Sequence, residues 1–358
     1  MIRFPAGLNA IRLTPRDEIG TLAGEMNEGM SRILWMKGGA LGDFIVALPV
    51  LTSLRRAFPD AYLEVACPRA WSCLVEGVAD AVSDVDASRW AFLFDGSPDA
   101  CPRLRYDLAV VLRPDIDGGL RGRLERMGVG RVLVRDPRPA GEDEHVSDHL
   151  LRVLDPLGLK LERTPRVRVP GCRGDAWSPG GPFGERCRDG RCAWIHPGSG
   201  GLRKCWPQER FRALAELLVR RSFHVHVLLG PVEIERGWSA FWRDAPVALC
   251  EGPPLKVVVS ALARAAFFVG NDSGISHCAA AVGCRTFVLF GPTSPKVWAP
   301  RGRFVRVIRA GSSPPGVVLG DDVETASGCP ADHARSMERL SFEDVVRVLA
   351  SAIDLEDR

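Results

Sequence analysis

Apolar residues alternate between two kinds of run along this chain. Arg32-Ile-Leu-Trp-Met-Lys37 is a short apolar run closed by basic residues and predicts a strand. Ile45, Leu48, Leu51, Leu54 and Phe58 follow at helical spacing and predict a helix. Strand-like runs recur at 62–66, 107–112 and 131–134, and Leu150, Val153, Leu154 and Leu157 predict a helix after His145. The second half repeats the rhythm. Strands are expected at 193–196, 224–229, 266–269 and 286–290, and helices at 208–221, 233–243, 255–265 and 274–282, with a last helix over 342–353. Alternation of this kind predicts an α/β chain with a helix-covered parallel sheet in each half. Residues 170–192 are dense in Gly and Pro without a period, so they read as a linker. Residues 1–29 show no clear period and read as a leader. The expected organisation is therefore 1–29 leader, 30–169 N-terminal domain, 170–192 linker, 193–340 C-terminal domain and 341–358 closing helix.

Composition narrows the classes. The chain has 358 residues, enough for two domains that each bury a core. Its net charge of +3 is too small to mark a nucleic-acid binder. The longest apolar stretch, 257–270, contains Ser260 and Arg264 and falls short of the roughly 20 residues that a membrane span needs. The first thirty residues carry Arg3, Arg12, Pro15 and Asp17 and lack the apolar core of a signal peptide. A cytosolic protein with reduced thiols is expected. Cys172, Cys187, Cys192 and Cys205 lack a paired C-x2-C spacing, so no metal site is expected.

Candidate chemistry falls at three strand-to-helix turns, where ligands sit in sheets of this type. The first is Lys37-Gly38-Gly39-Ala40-Leu41-Gly42-Asp43. It fails the G-x-G-x-x-G fingerprint because Lys37 holds the first glycine position, and Cys67-Pro68-Arg69 closes the second strand where an acid belongs. Asp43 reads either as a helix N-cap or as a general base at a cleft mouth. The second turn, from His196 to Pro207, offers small residues, the Ser199 hydroxyl and the Lys204 cation, which suit a phosphate. It reads equally as a glycine-rich turn with a surface lysine. The third is Gly270-Asn271-Asp272-Ser273-Gly274, followed by His277. Helix N-terminal amides after Asp272 suit a diphosphate; the alternative is a capped helix whose His277 serves structure.

Taken together, these segments resemble glycosyltransferase family 9, the heptosyltransferases of lipopolysaccharide core assembly. The resemblance rests on Lys37 with 39–43, the helix from Ala47 through Pro59, 196–201 with Lys204 and Trp206-Pro207, Leu229-Gly230-Pro231 with Glu233, 270–274 with His277, and Phe290-Gly291-Pro292-Thr293. It covers about residues 31–350 and implies a GT-B fold, two Rossmann-like domains facing across a cleft. It also implies inverting transfer without an essential metal or cofactor, a sugar passing from a nucleotide donor such as ADP-heptose to a lipid-linked acceptor. By that resemblance the catalytic residues are Asp43, the base, and Lys204, which with the amides after Asp272 meets the charge of the departing diphosphate. Ser199, Gly200, Lys204, Glu233, Asp272, Ser273, Gly274 and His277 hold the donor, with Glu233 at the ribose. Lys37 and Gly39 face the acceptor.

Between Arg103 and Arg138 nine arginines stand against five acids, a local excess above that of the whole chain. Arg121, Arg123 and Arg126 are therefore candidates for an anionic acceptor and for a peripheral position on the cytoplasmic face of the inner membrane; an exposed arginine-rich face is the plainer reading. Two other functions stay open at this stage, an NAD(P)-dependent oxidoreductase and a non-catalytic sugar-nucleotide binding protein.

Overall fold

The computed structural model describes residues 30–91, 93, 104–115, 118–169, 190–309, 318–319 and 336–353. The leader 1–29 and linker residues 170–189 lie outside them. The strands of the first half are β1 (Arg32–Lys37), β2 (Tyr62–Cys67), β3 (Ala81–Asp84), β4 (Leu108–Leu112) and β5 (Arg131–Arg135). Its helices are α1 (Leu41–Ile45), α2 (Leu48–Ala57), α3 (Leu120–Arg126) and α4 (Val146–Leu151). The sheet order is β3-β2-β1-β4-β5, and every pairing is parallel. Buried strands such as Leu-Ala-Val-Val-Leu in β4 are apolar throughout because helices cover both faces.

The second half holds β6 (Cys192–His196), β7 (His224–Leu229), β8 (Ala248–Glu251), β9 (Phe267–Asn271), β10 (Thr286–Phe290), β11 (Val305–Arg309) and β12 (Val318–Leu319). Its helices are α5 (Gln208–Arg220), α6 (Pro231–Glu235), α7 (Trp238–Trp242), α8 (Leu255–Leu262), α9 (Gly274–Ala281), α10 (Pro295–Trp298), α11 (Ser336–Arg339) and α12 (Phe342–Ala350). The order is β12-β11-β10-β9-β6-β7-β8, with only β12 antiparallel. In both sheets the chain leaves the first strand in one direction and later returns to its other side. The crevices at β1/β4 and β6/β9 are thus the switch points where ligands bind.

Two expected helices are interrupted. The helix expected through 45–58 divides at Val46-Ala47, because Pro49 lacks an N–H and its ring would meet the Ile45 carbonyl in a continuous helix. The one expected over 233–243 divides at Gly237, which adopts φ +75° between α6 and α7. Strands β3, β8 and β11 and helix α3 were not anticipated.

One apolar cluster runs through both halves. It joins Trp35, Leu51 and Val110 to Leu262, Cys278 and Ala279. The seam is tightest where α1 meets α9: a Cβ on Gly274 would lie 2.9 Å from the Gly42 nitrogen. On the far side of the second sheet, Val345 and Leu349 of α12 pack with Leu214 and Leu218 of α5, so the last helix closes on the C-terminal half. Cys67, Cys73, Cys205, Cys250, Cys278 and Cys284 are free, whereas Cys192 is disulfide-bonded, contrary to the expectation of reduced thiols throughout. A compartment argument governs thiols on average and carries no information on which two stand within bonding distance.

Candidate active site

The three turns meet where the domains face each other. Gly39 has φ +99°, which lets the chain fold back after β1. A Cβ there would stand 3.3 Å from Lys37 Nζ and 3.6 Å from Asp43 Oδ2, so ammonium and carboxylate converge on this turn. Lys37 is buried and donates to the Gly38 carbonyl at 2.6 Å. Burial pushes its pKa below the ordinary lysine value, and the Asp43 carboxylate opposes that shift. Trp71 Nε1 donates to the Gly39 carbonyl at 3.1 Å and braces the turn. Asp43 is exposed and lies inside α1; the N-cap position is Ala40, so the capping reading of Asp43 falls away.

From the C-terminal half, Ser199 Oγ donates to the Asp272 carbonyl at 2.7 Å. Lys204 Nζ donates to Asp272 Oδ2 at 2.8 Å, and Thr293 Oγ1 donates to the same oxygen at 2.7 Å. Asp272 therefore organises the β6 and β9 turns around one carboxylate. Arg236 braces the glycine-rich turn through the carbonyls of Ser199 and Gly200. Ser273 caps α9 by accepting from the Ser276 N–H. Gly274 and Ile275, which begin α9, line the cleft, where the helix presents its positive dipole end.

Glu233 is buried, and its Oε2 accepts from the Gly230 N–H at 2.9 Å as an N-terminal capping box. Its other oxygen lies against Gly198, where a Cβ would approach within 2.0 Å. Glycine at 198 is thus a packing requirement of Glu233. His277 is buried at the seam; burial lowers its pKa, opposed by Asp272 and Asp43. His196 is lowered by burial as well, opposed by Glu233.

Three adjoining cavities follow the cleft. The largest, about 780 Å³, runs from Ser199 and Glu233 past Pro253 and Leu255 to Trp71. It falls in the size range of small-molecule sites. A second, about 370 Å³, brings Asp43 of one domain together with Ser199, Lys204, Asp272, Gly274 and His277 of the other. A third, about 460 Å³, is lined by Lys37, Gly39, Asp43, Arg113, Arg138 and Trp298 among others.

Every expected donor residue lies at the first or second cavity, and Lys37 and Gly39 at the third. Arg121, Arg123 and Arg126 do not join them. They sit on α3, which packs on β5, and line none of these cavities. Arg113 and Arg138 line the third cavity instead; a charge count along the sequence locates the basic stretch but not which of its side chains reach the cleft. Thr293 stands in one of the motifs that carry the resemblance but is given no role by it, and Trp298 stands in no recognisable pattern. Among the described residues, no group of three or more His, Cys, Asp or Glu is placed to hold a metal ion, and no helix is long and apolar enough to cross a membrane.

Comparison with known proteins agrees with this geometry. The family model for glycosyltransferase family 9 (heptosyltransferase) matches residues 186–317. Lipopolysaccharide heptosyltransferase 1 of Pseudomonas aeruginosa is 26% identical over 306 residues, spanning 76% of this chain and 82% of that protein. Lipooligosaccharide heptosyltransferase 2 of Haemophilus influenzae is 35% identical over 135 residues, 36% of this chain and 38% of the other. The crystal structure of E. coli heptosyltransferase WaaC with ADP superposes with a TM-score of 0.64 at 18% identity, covering 89% of this chain and 99% of that one. The likeness to solved structures shows the fold, two Rossmann-like domains of GT-B type.

Proposed function

Because the chain belongs to glycosyltransferase family 9 and is a transferase of the heptosyltransferase kind, we propose that it moves a heptose from ADP-heptose, with inversion, to an acidic lipid-linked saccharide of the lipopolysaccharide core. The observation that carries this reading is the second cavity. There Asp43 of the N-terminal domain shares one wall with Ser199, Lys204 and Gly274 of the C-terminal domain. A carboxylate from one side and a cation with helix amides from the other are what displacement at an anomeric carbon requires.

In this reading the nucleotide lies in the large cavity with its ribose at Glu233. The diphosphate lies at the α9 N-terminus beside Ser199, Gly200 and Lys204, where Ser273 and Gly274 begin the helix. Asp43 takes the proton from the acceptor hydroxyl as that oxygen bonds to the anomeric carbon. The bond to the diphosphate oxygen breaks, and its charge is met by Lys204 and the α9 amides. His277 sits behind both, neutral, as part of the packed seam. Lys37, Arg113 and Arg138 place positive charge where an acidic acceptor enters. The arginines of α3 face solvent or the sheet and suit an anionic membrane surface better than the acceptor itself.

The test is transfer. Purified protein is supplied with ADP-heptose and a lipid A–Kdo acceptor, and both ADP release and a heavier lipid product are read. ADP released only with acceptor present, together with the product, supports the reading. Thermal stabilisation by NAD(P) and none by ADP would send it back to the oxidoreductase alternative.

A further inference from the structure

Asp43 and Trp298 are the two residues common to the second and third cavities. Asp43 has a role in the reading above; Trp298 has none. It ends α10, in the C-terminal domain, yet it forms part of a cavity whose other lining residues, Lys37, Arg113 and Arg138 among them, come from the N-terminal domain.

The segment around it is a strap between the domains. At its start, Thr293 holds the Asp272 carboxylate that Lys204 also holds. Lys296 Nζ then donates to Asp143 at 3.2 Å. His145 Nε2 meets the Ala299 carbonyl at 2.9 Å, while its Nδ1 accepts from the Ser147 N–H at 3.1 Å. That pair of bonds requires the neutral ring with its proton on Nε2. Arg301 closes the strap with two bonds to the Asp148 carboxylate, at 2.9 and 2.5 Å. The backbone of Trp298 itself is bonded by His277. The indole is thus flanked along the chain by anchors to residues 143–148, and its position depends on the two domains being together.

We propose that Trp298 is an acceptor-contacting, specificity-determining residue supplied by the donor-side domain, a half-buried aromatic wall on which the apolar face of an acidic sugar ring packs while Lys37, Arg113 and Arg138 meet its charge. The inference rests on the transferase reading. The chemistry fits the site: a sugar ring presents C–H groups on one face, an indole offers a large rigid surface, and basic residues nearby bind carboxylate or phosphate. Because the wall comes from the other domain, the acceptor site is complete only when the strap is docked. Acceptor binding and domain closure are then coupled.

The experiment measures transfer from ADP-heptose to the lipid A–Kdo acceptor with wild type, Trp298→Ala and Trp298→Phe, and ADP affinity of each by calorimetry. Trp298→Ala is expected to raise the acceptor KM roughly tenfold, the scale of one lost aromatic contact with its buried area. ADP affinity should stay near that of wild type, which also reports an intact fold, and Trp298→Phe should recover most of the loss. An unchanged acceptor KM in Trp298→Ala with an active wild type overturns this inference alone, as does a loss in kcat with both KM values unmoved. A wild type that transfers nothing to this acceptor overturns the transferase reading for it and this inference together.

Discussion

Replacing Lys204 with Met removes the ammonium and keeps the stem, and it separates two roles that the structure joins. The Asp272 side chain is 7% exposed and accepts from Lys204 and Thr293. Removing one partner of a fully buried ion pair costs about 3–5 kcal/mol. Here the Lys204 side chain is 34% exposed and Thr293 remains, so about 1–2 kcal/mol of stability is expected to be lost. For a chain of this size each kcal/mol is about 2–4 °C in Tm, which places the drop at roughly 2–8 °C. If Lys204 also meets the donor diphosphate, a charge-assisted contact worth about 1.5–3 kcal/mol goes with it, and the Kd for ADP rises roughly ten- to 150-fold. Adding Asp272→Asn distinguishes the two. A buried amide needs no cation, so the double variant should recover Tm while ADP affinity stays low. Thermal unfolding and calorimetric ADP titration of wild type, both single variants and the double variant read both quantities. Recovery of ADP affinity along with Tm in the double variant would refute a direct role for Lys204 at the diphosphate.

Four other outcomes follow from the same geometry. Asp43→Asn should bind ADP normally and lose at least about 10²-fold in kcat, measured in steady state, since the amide takes no proton. Gly198→Ala places a methyl group where Glu233 stands, so the free energy of ADP binding by calorimetry should fall by more than the free energy of unfolding does. Burial pushes the His145 imidazole down from 6.5 to about 4, helped by Arg301 and opposed by its bond to Ala299 and by Asp148. The neutral ring therefore stabilises the fold fully above about pH 6.5, and that contribution is lost as pH falls toward 4, up to about 3 kcal/mol. His145→Asn should flatten this part of the Tm-versus-pH curve, with His196 and His277, also lowered, carrying the remainder. Replacing Arg121, Arg123 and Arg126 with Gln should weaken binding to anionic vesicles at low salt by about 1 kcal/mol per charge that faces the surface, with ADP affinity unchanged; equal vesicle binding would leave these arginines as an ordinary solvated face.

The alternation of apolar runs determined the class of fold and pointed to the turns where candidate chemistry lies. Strands β1, β7 and β10 begin and end where the strand-like runs do, because strands covered on both faces are apolar at most positions; His226 in β7 and Thr286 in β10 are buried polar exceptions. The three turns that carry Asp43, Lys204 and Asp272 were legible for the same reason, since parallel sheets offer ligands only the carboxyl ends of their strands. The break at Val46-Ala47 was also written in the chain, in Pro49. Strands β3 and β8 were not, because edge strands are short and half-exposed and lack a clean period. Pairings across long separations were decided by the tertiary structure alone. Lys204 and Asp272 are 68 residues apart, and either reads by itself as a free charge facing a phosphate; only folding shows that they neutralise each other. Likewise, nothing local marks Trp298. Its place beside Asp43 follows from a strap whose anchors, His145 and Asp148, lie about 150 residues earlier in the other domain. A sequence states which side chains are available at each turn, and the closing of two domains decides which of them face the same space.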